Sequence, residues 1–185
     1  MLLGARVEGG GTRFGLFARP AAACGVRLFG ADGACLAEHT LRAHGDGYFS
    51  AHVSGVEDGA LYKFVVDGRE LPDPFARFLP QGVHGPAQVV RARHAWRHDG
   101  VLRPLDQQII YELHVGAFSE AGTYAGVVEH LAELAALGIT AIELLPVAAF
   151  AGTRGWGYEG VALFAPFAPY GTPDDLRALI DAAHG

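Results

Sequence analysis

The sequence predicts a β + α/β chain of two domains, an all-β first half followed by the opening of a βα-repeat, and three observations lead there. Apolar residues recur at every second position between turn signals up to about Val66. After Gln108 that alternation gives way to continuous apolar runs separated by a stretch of helical period. Between the second such run and a marked helix start lies Gly152 to Gly171, GTRGWGYEGVALFAPFAPYG, which interleaves aromatic residues with glycine. A β/α-barrel carries the loops that build its active face at that place.

The alternating runs are Phe14, Leu16 and Ala18; Val26 and Leu28; Phe49, Ala51 and Val53; and Tyr62, Phe64 and Val66. Period-two burial with Gly, Pro and Asp between runs marks strands of a half-buried antiparallel sheet. The Asp67-Gly68 pair predicts a type I′ hairpin turn, which requires positive φ at both central residues. About seven short strands in this space make an immunoglobulin-like β-sandwich. Residues 1–95 are assigned to that sandwich and residues 96–108, with Gly100 and Pro104, to a linker.

Residues 109–185 are assigned to the first two βα units of an incomplete (β/α)8 TIM barrel. Ile109 to Val115 (IIYELHV) and Ala141 to Val147 read as strands buried on both faces of a parallel sheet. Between them Thr123 caps a helix whose apolar stripe is Val127, Leu131, Leu134 and Leu137, and Gly138 ends it in the left-handed region. A second helix has Thr172 as its cap, Pro173 in the first position and Asp175 three residues after the cap, with Leu176, Leu179, Ile180 and Ala183 as its apolar face. Two strands leave a barrel open, since closure takes eight strands and roughly 250 residues. The chain is therefore expected to be a truncated piece of a longer one, prone to associate through Leu113, Val115, Leu144 and Leu145.

Composition excludes several classes of function. A formal net charge of −6 disfavours a nucleic-acid or anionic-membrane surface, which needs clustered Lys and Arg. No stretch reaches the roughly 18 apolar residues of a membrane span, and none reads as a signal peptide. Cys24 and Cys35 have no metal spacing and are expected as reduced thiols in the cytoplasm. No metal site or cofactor is expected, because the nine histidines are scattered and Gly9-Gly10-Gly11 lacks the lysine and strand of a phosphate cradle.

The candidate substrate-binding residues are Tyr158 and Trp156. The C–H face of a sugar ring packs on an aromatic plate, while its hydroxyls seek polar partners at the rim. The bland alternative makes both rings core residues beneath a long loop, and Arg154 and Glu159 a solvated or mutually paired couple. Glu112, His114 and Glu143 lie in strands that otherwise read as core, with Glu112 and His114 on one face. They are either members of buried pairs or groups near a pocket floor. None has a companion carboxylate at a spacing that fixes an acid–base pair.

From Ile110 onward the chain resembles the start of the catalytic barrel of the α-amylase superfamily of glycoside hydrolases. YELHVGAF is similar to its first barrel strand, LGITAIELLPV to its second, and GWGYEGV with YGTPDDLRALIDAAHG to the loop and helix that follow. LPDPFARFLPQGVHGPAQVV, with FAGTRGWGY, resembles the malto-oligosyltrehalose trehalohydrolase family within it, although PFARF departs from that family's usual wording. The resemblance implies a sandwich of the kind found in glycogen-processing enzymes and a retaining hydrolase. That enzyme cuts the α-1,4 bond next to the terminal trehalose of malto-oligosyltrehalose. Its nucleophile, acid/base and third carboxylate follow the fourth, fifth and seventh barrel strands, so no catalytic residue is expected in this chain and none of the activity when it stands alone. Only Tyr158 matches a residue with a role in the superfamily, as the ring that stacks on the sugar at the cleavage point. The alternatives are a glycogen branching enzyme, acting on an α-glucan, and a non-catalytic carbohydrate-binding sandwich. No exposed aromatic cluster is expected in residues 1–90, where Tyr48, Phe49, Tyr62 and Phe64 fit the core alternation.

Overall fold

The computed structural model describes residues 2–101 and 103–185; Leu102 of the expected linker and Met1 lie outside the described residues. The chain is sheet-rich with few helices. Its first half contains β1 (Gly4–Glu8), β2 (Gly11–Phe17), β3 (Cys24–Phe29), β4 (Cys35–Thr40), β5 (Arg42–Gly45), β6 (Tyr48–Ser54), β7 (Leu61–Val66), β8 (Arg69–Leu71) and β9 (Ala87–Gln88). One antiparallel sheet has the order β1-β2-β6-β5, and a second has the order β4-β3-β7-β8 with β9 also paired to β7. Phe14, Leu16, Val26, Phe49, Val53, Tyr62 and Phe64 belong to one buried cluster shared by both sheets. The alternation thus reads the inner faces correctly, because successive side chains leave a strand on opposite sides. Asp67 and Gly68 have φ of 47° and 80°, as a type I′ turn requires. One expectation fails: Tyr48 sits on the outer face, its ring 5.0 Å from that of Phe17, and both are exposed. Its neighbour Phe49 takes the inward position.

In the second half β10 (Ile110–Leu113) and β11 (Ala141–Leu144) pair in parallel, with Ile110 opposite Ala141 and Leu113 opposite Leu144. Both strands are shorter than the runs 109–115 and 141–147. β10 stops because the His114 carbonyl accepts from Ala117 N and Phe118 N, each at 3.0 Å, which starts α1 (Val115–Phe118). β11 gives way just before Pro146, which has no N–H to donate to a ladder. The strand is also not buried on both faces, since Ile109, Ile110 and Tyr111 are exposed. Leu113 and Val115, expected to lack partners, are buried in one cluster with Tyr124, Val127 and Leu179.

The expected single helix is two, α2 (Tyr124–Val128) and α3 (Leu131–Ala136). Thr123 caps the first, accepting from Gly126 N at 3.2 Å. His130 leaves helical geometry (φ −105°, ψ 3°) and separates the two; Val127 and Leu131 still face one core and Leu134 is buried, but Leu137, just past the end of α3, is 74% exposed. Gly138 ends α3 with φ of 95° as expected. The stretch Gly152 to Gly171 also contains a strand, β13 (Ala162–Pro166), antiparallel to β12 (Ala148–Ala149).

Then α4 (Pro173–His184) begins on the expected capping box, Thr172 accepting from Asp175 N and the Asp175 carboxylate accepting from Thr172 N. Its buried face differs from the expected one. Ile180 and Ala183 are exposed, whereas Asp181 is 0% exposed. Residues of the expected linker cover that face as a strap: Arg97 N and His98 N each donate to Asp181 at 2.9 Å, and Arg97 Nε donates at 3.2 Å. His94 and His98, read as scattered, both lie against the same carboxylate. The backbone N–H of Arg97, then that of His98, hold Asp181 well below the usual carboxylate range.

Asp73 is the opposite case. It is buried in the first half, accepting from the Tyr62 hydroxyl and from Phe75 N at 2.8 Å, and burial outweighs these bonds to raise its pKa to about 6. The folded state then binds a proton more tightly than the unfolded state, so this group's contribution to stability falls as pH rises from about 4 to about 6. The full swing is about 3 kcal/mol. Asp73→Asn is expected to remove this slope. Chemical denaturation of both proteins from pH 4 to pH 7 checks it, and parallel stability curves for the two contradict it.

Candidate functional site

The aromatic loop hangs from the β12–β13 hairpin, and the hairpin is wedged between two cores. Ala149, Ala162 and Ala165 are buried in the cluster of the first half, while Phe150 and Phe167 belong to that of the second. The Phe150 and Phe167 rings stack at 4.0 Å and 12°. On the other side Phe164 stacks on Phe75 at 5.2 Å, with the Arg77 guanidinium 5.3 Å from its centroid.

Two contacts set the course of the loop. Gly157 has φ of 92°, and a Cβ there would come within 2.0 Å of the Pro146 carbonyl oxygen, so only glycine fits. The Gly155 carbonyl accepts from His114 Nε2 at 2.9 Å. A cavity of about 780 Å³ opens beneath, lined by His114, Gly116, Ala117, Thr153, Arg154, Gly155, Trp156, Glu159 and Tyr170. It lies where β10 and β11 end, the face on which parallel α/β sheets collect their ligands. A smaller cavity of about 360 Å³ shares Thr153 with it and lies between residues 79–84 and residues 149–153.

Trp156 and Tyr158 are 72% and 71% exposed, so neither is a core residue. Trp156 is part of the cavity wall; Tyr158, the stronger expectation from sequence, stands outside that lining. Arg154 and Glu159 both line the cavity and form no ion pair among the described residues. Glu112 and Glu143 are register neighbours on the parallel pair, both exposed and away from the cavity. His114 does reach it. Sequence reasoning missed Thr153, Gly116 and Tyr170; the last packs edge-on to His114 at 5.9 Å, and burial pushes its phenol up. Among the described residues no group of three or more His, Cys, Asp or Glu is placed to hold a metal ion, and no helix is long and apolar enough to cross a membrane.

The malto-oligosyltrehalose trehalohydrolase of Deinococcus radiodurans is 47% identical over 178 residues, 95% of this chain and 28% of the relative. That of Saccharolobus solfataricus is 40% identical over 75% of this chain and 25% of its own length. The chain is related to the malto-oligosyltrehalose trehalohydrolases. It spans about a quarter of the length of these curated relatives. A 1,4-alpha-glucan branching enzyme of Corynebacterium glutamicum is more distant, at 32% identity over 94% of this chain and 26% of the enzyme. Among solved structures, a Salmonella typhimurium protein assigned as an alpha amylase superposes with a TM-score of 0.88 at 41% identity, over 99% of this chain and 31% of that one. A pullulanase from Bacillus acidopullulyticus shares the fold, with a TM-score of 0.82 at 24% identity over 98% of this chain and 28% of that one. No family model matches the chain.

The loop is the feature to disturb first, and Gly157 is the position at which to do it. Gly157→Ala is expected to cost about 2 kcal/mol or more, since it adds a forbidden φ to a clash with backbone. Equilibrium denaturation measures it; a loss below about 0.5 kcal/mol would mean that Pro146 does not fix the loop.

Proposed function

We propose that this chain forms part of a retaining α-glycoside hydrolase that cleaves the α-1,4 bond next to the terminal trehalose of malto-oligosyltrehalose and releases trehalose. The observation that carries the reading is the exposed pair Trp156 and Tyr158, held on a fixed loop above a cavity at the strand ends. The relatives' names supply the substrate class. On this reading residues 1–95 are an immunoglobulin-like sandwich, 96–108 a linker and 109–185 the first two βα units of a TIM barrel. The reacting carboxylates then follow strands later than β11, and these 185 residues contribute binding surface rather than chemistry. The two free cysteines suit a reducing cytoplasm.

Two other readings each have one observation behind them. Similarity to the branching enzyme keeps a glucan transferase in view. The exposed Phe17–Tyr48 pair on the outer face of its sheet, which the sequence did not reveal, favours a carbohydrate-binding module. Retention of residues 1–95 on a glucan affinity gel separates that last reading from the others.

Joining residues 1–185 to the remaining length of the Deinococcus relative gives an enzyme in which Tyr158 is testable. Tyr158→Ala is expected to lower kcat/KM for trehalose release by about 1–3 kcal/mol of transition-state stabilisation, with Tyr158→Phe costing much less and melting unchanged. Normal turnover with a lowered melting temperature would make the residue structural. New α-1,6 branches in place of trehalose would favour the transferase.

A further inference from the structure

We propose that His114 is a positioning residue, whose hydrogen bond to the Gly155 carbonyl sets the pose of the loop carrying Trp156 and Tyr158. That those rings receive a sugar rests on the reading above; that His114 holds them does not. His114 stands where β10 hands over to α1, its own carbonyl engaged by Ala117 N and Phe118 N, so its backbone has no freedom to follow the loop. Its Nε2 lies 2.9 Å from the Gly155 oxygen and 3.2 Å from the Tyr170 hydroxyl oxygen.

A carbonyl oxygen only accepts, so Nε2 carries the proton and Nδ1 keeps its lone pair. Nδ1 is also the ring nitrogen that is buried without a partner among the described residues, so this tautomer leaves no N–H unsatisfied. The ring is fenced in as well. A Cβ on Gly116 would fall 2.8 Å from the Tyr170 ring and 3.1 Å from His114 Cε1, so the glycine lets the two side chains meet. Gly155 is hemmed by the Phe150 ring in the same way, at 2.9 Å from a Cβ. Between Gly155 and Gly157 only Trp156 intervenes, and Tyr158 follows. The loop is thus bonded to His114 on one side of Trp156 and packed closely against the Pro146 carbonyl on the other.

The test uses backbone ¹⁵N relaxation on the whole chain. Gln places its side-chain nitrogen where His carries Nε2, and Asn places its nitrogen where His carries Nδ1. In the parent and in His114→Gln, order parameters for residues 155–158 are expected near the rigid value of about 0.85. In His114→Asn and His114→Ala they are expected below about 0.6, with α4 rigid in every variant. Maltotriose affinity by calorimetry is expected to weaken about fivefold in the Asn and Ala variants and to be restored in Gln. Loosening of the loop with unchanged affinity supports the positioning role and removes the sugar platform. A loop that stays rigid in His114→Asn, or one that His114→Gln fails to restore, overturns the proposal. The Gln–Asn pair decides the matter even where His114→Ala does not fold.

Discussion

Everything around the cavity depends on a short hairpin that serves two cores at once. Ala149 and Phe150 are adjacent, so their side chains leave on opposite sides: the alanine enters the cluster beneath the antiparallel sheets, and the phenylalanine stacks on Phe167 in the cluster around Val127 and Leu179. Ala162 and Ala165 repeat the small contact on the first side. Small residues allow close approach there, while the phenylalanines fill the larger space on the other side. A loop hung from such a hairpin inherits the rigidity of both cores, which is what an exposed aromatic platform needs if it is to bind without first being ordered.

A second connection between the two halves is polar. The strap at Arg97 and His98 reaches α4 through Asp181, which takes two backbone N–H donors and the Arg97 guanidinium. Asp73, buried with a phenol and one backbone N–H, has its pKa moved the other way. The contrast follows from the donors: a cation and two amides compensate a buried charge, whereas a hydroxyl and one amide do not. Asp181 therefore favours the charged form in the fold, with stability present above the ordinary carboxylate pKa and lost as pH falls below it.

Much of this was legible in the sequence, for local reasons. The inner-face residues of the antiparallel sheets, the Asp67-Gly68 turn, the Thr123 and Thr172 caps and the parallel pairing of the two apolar runs each follow from period or turn chemistry. What escaped was tertiary. Nothing in the pattern says that His130 would break a helix, that Tyr48 would face outward beside Phe17, or that a strand would lie inside the aromatic loop. No local pattern marks Asp181, because its partners lie more than 80 positions away. Of the two rings singled out in the sequence, Trp156 lines the cavity and Tyr158 stands outside that lining, whereas Tyr170 and Thr153, which line it too, were not singled out as binding residues.

On the proposed function, sugar recognition falls to a loop that these residues already hold in shape. Titrating the ¹⁵N-labelled chain with maltotriosyltrehalose and mapping the shifts tests this most directly. The predicted result is a saturable change at the Trp156 indole N–H and at the amides of residues 153–159, with the Trp96 indole unmoved. Shifts confined to the surroundings of Phe17 and Tyr48, or no saturable change at Trp156, would contradict it.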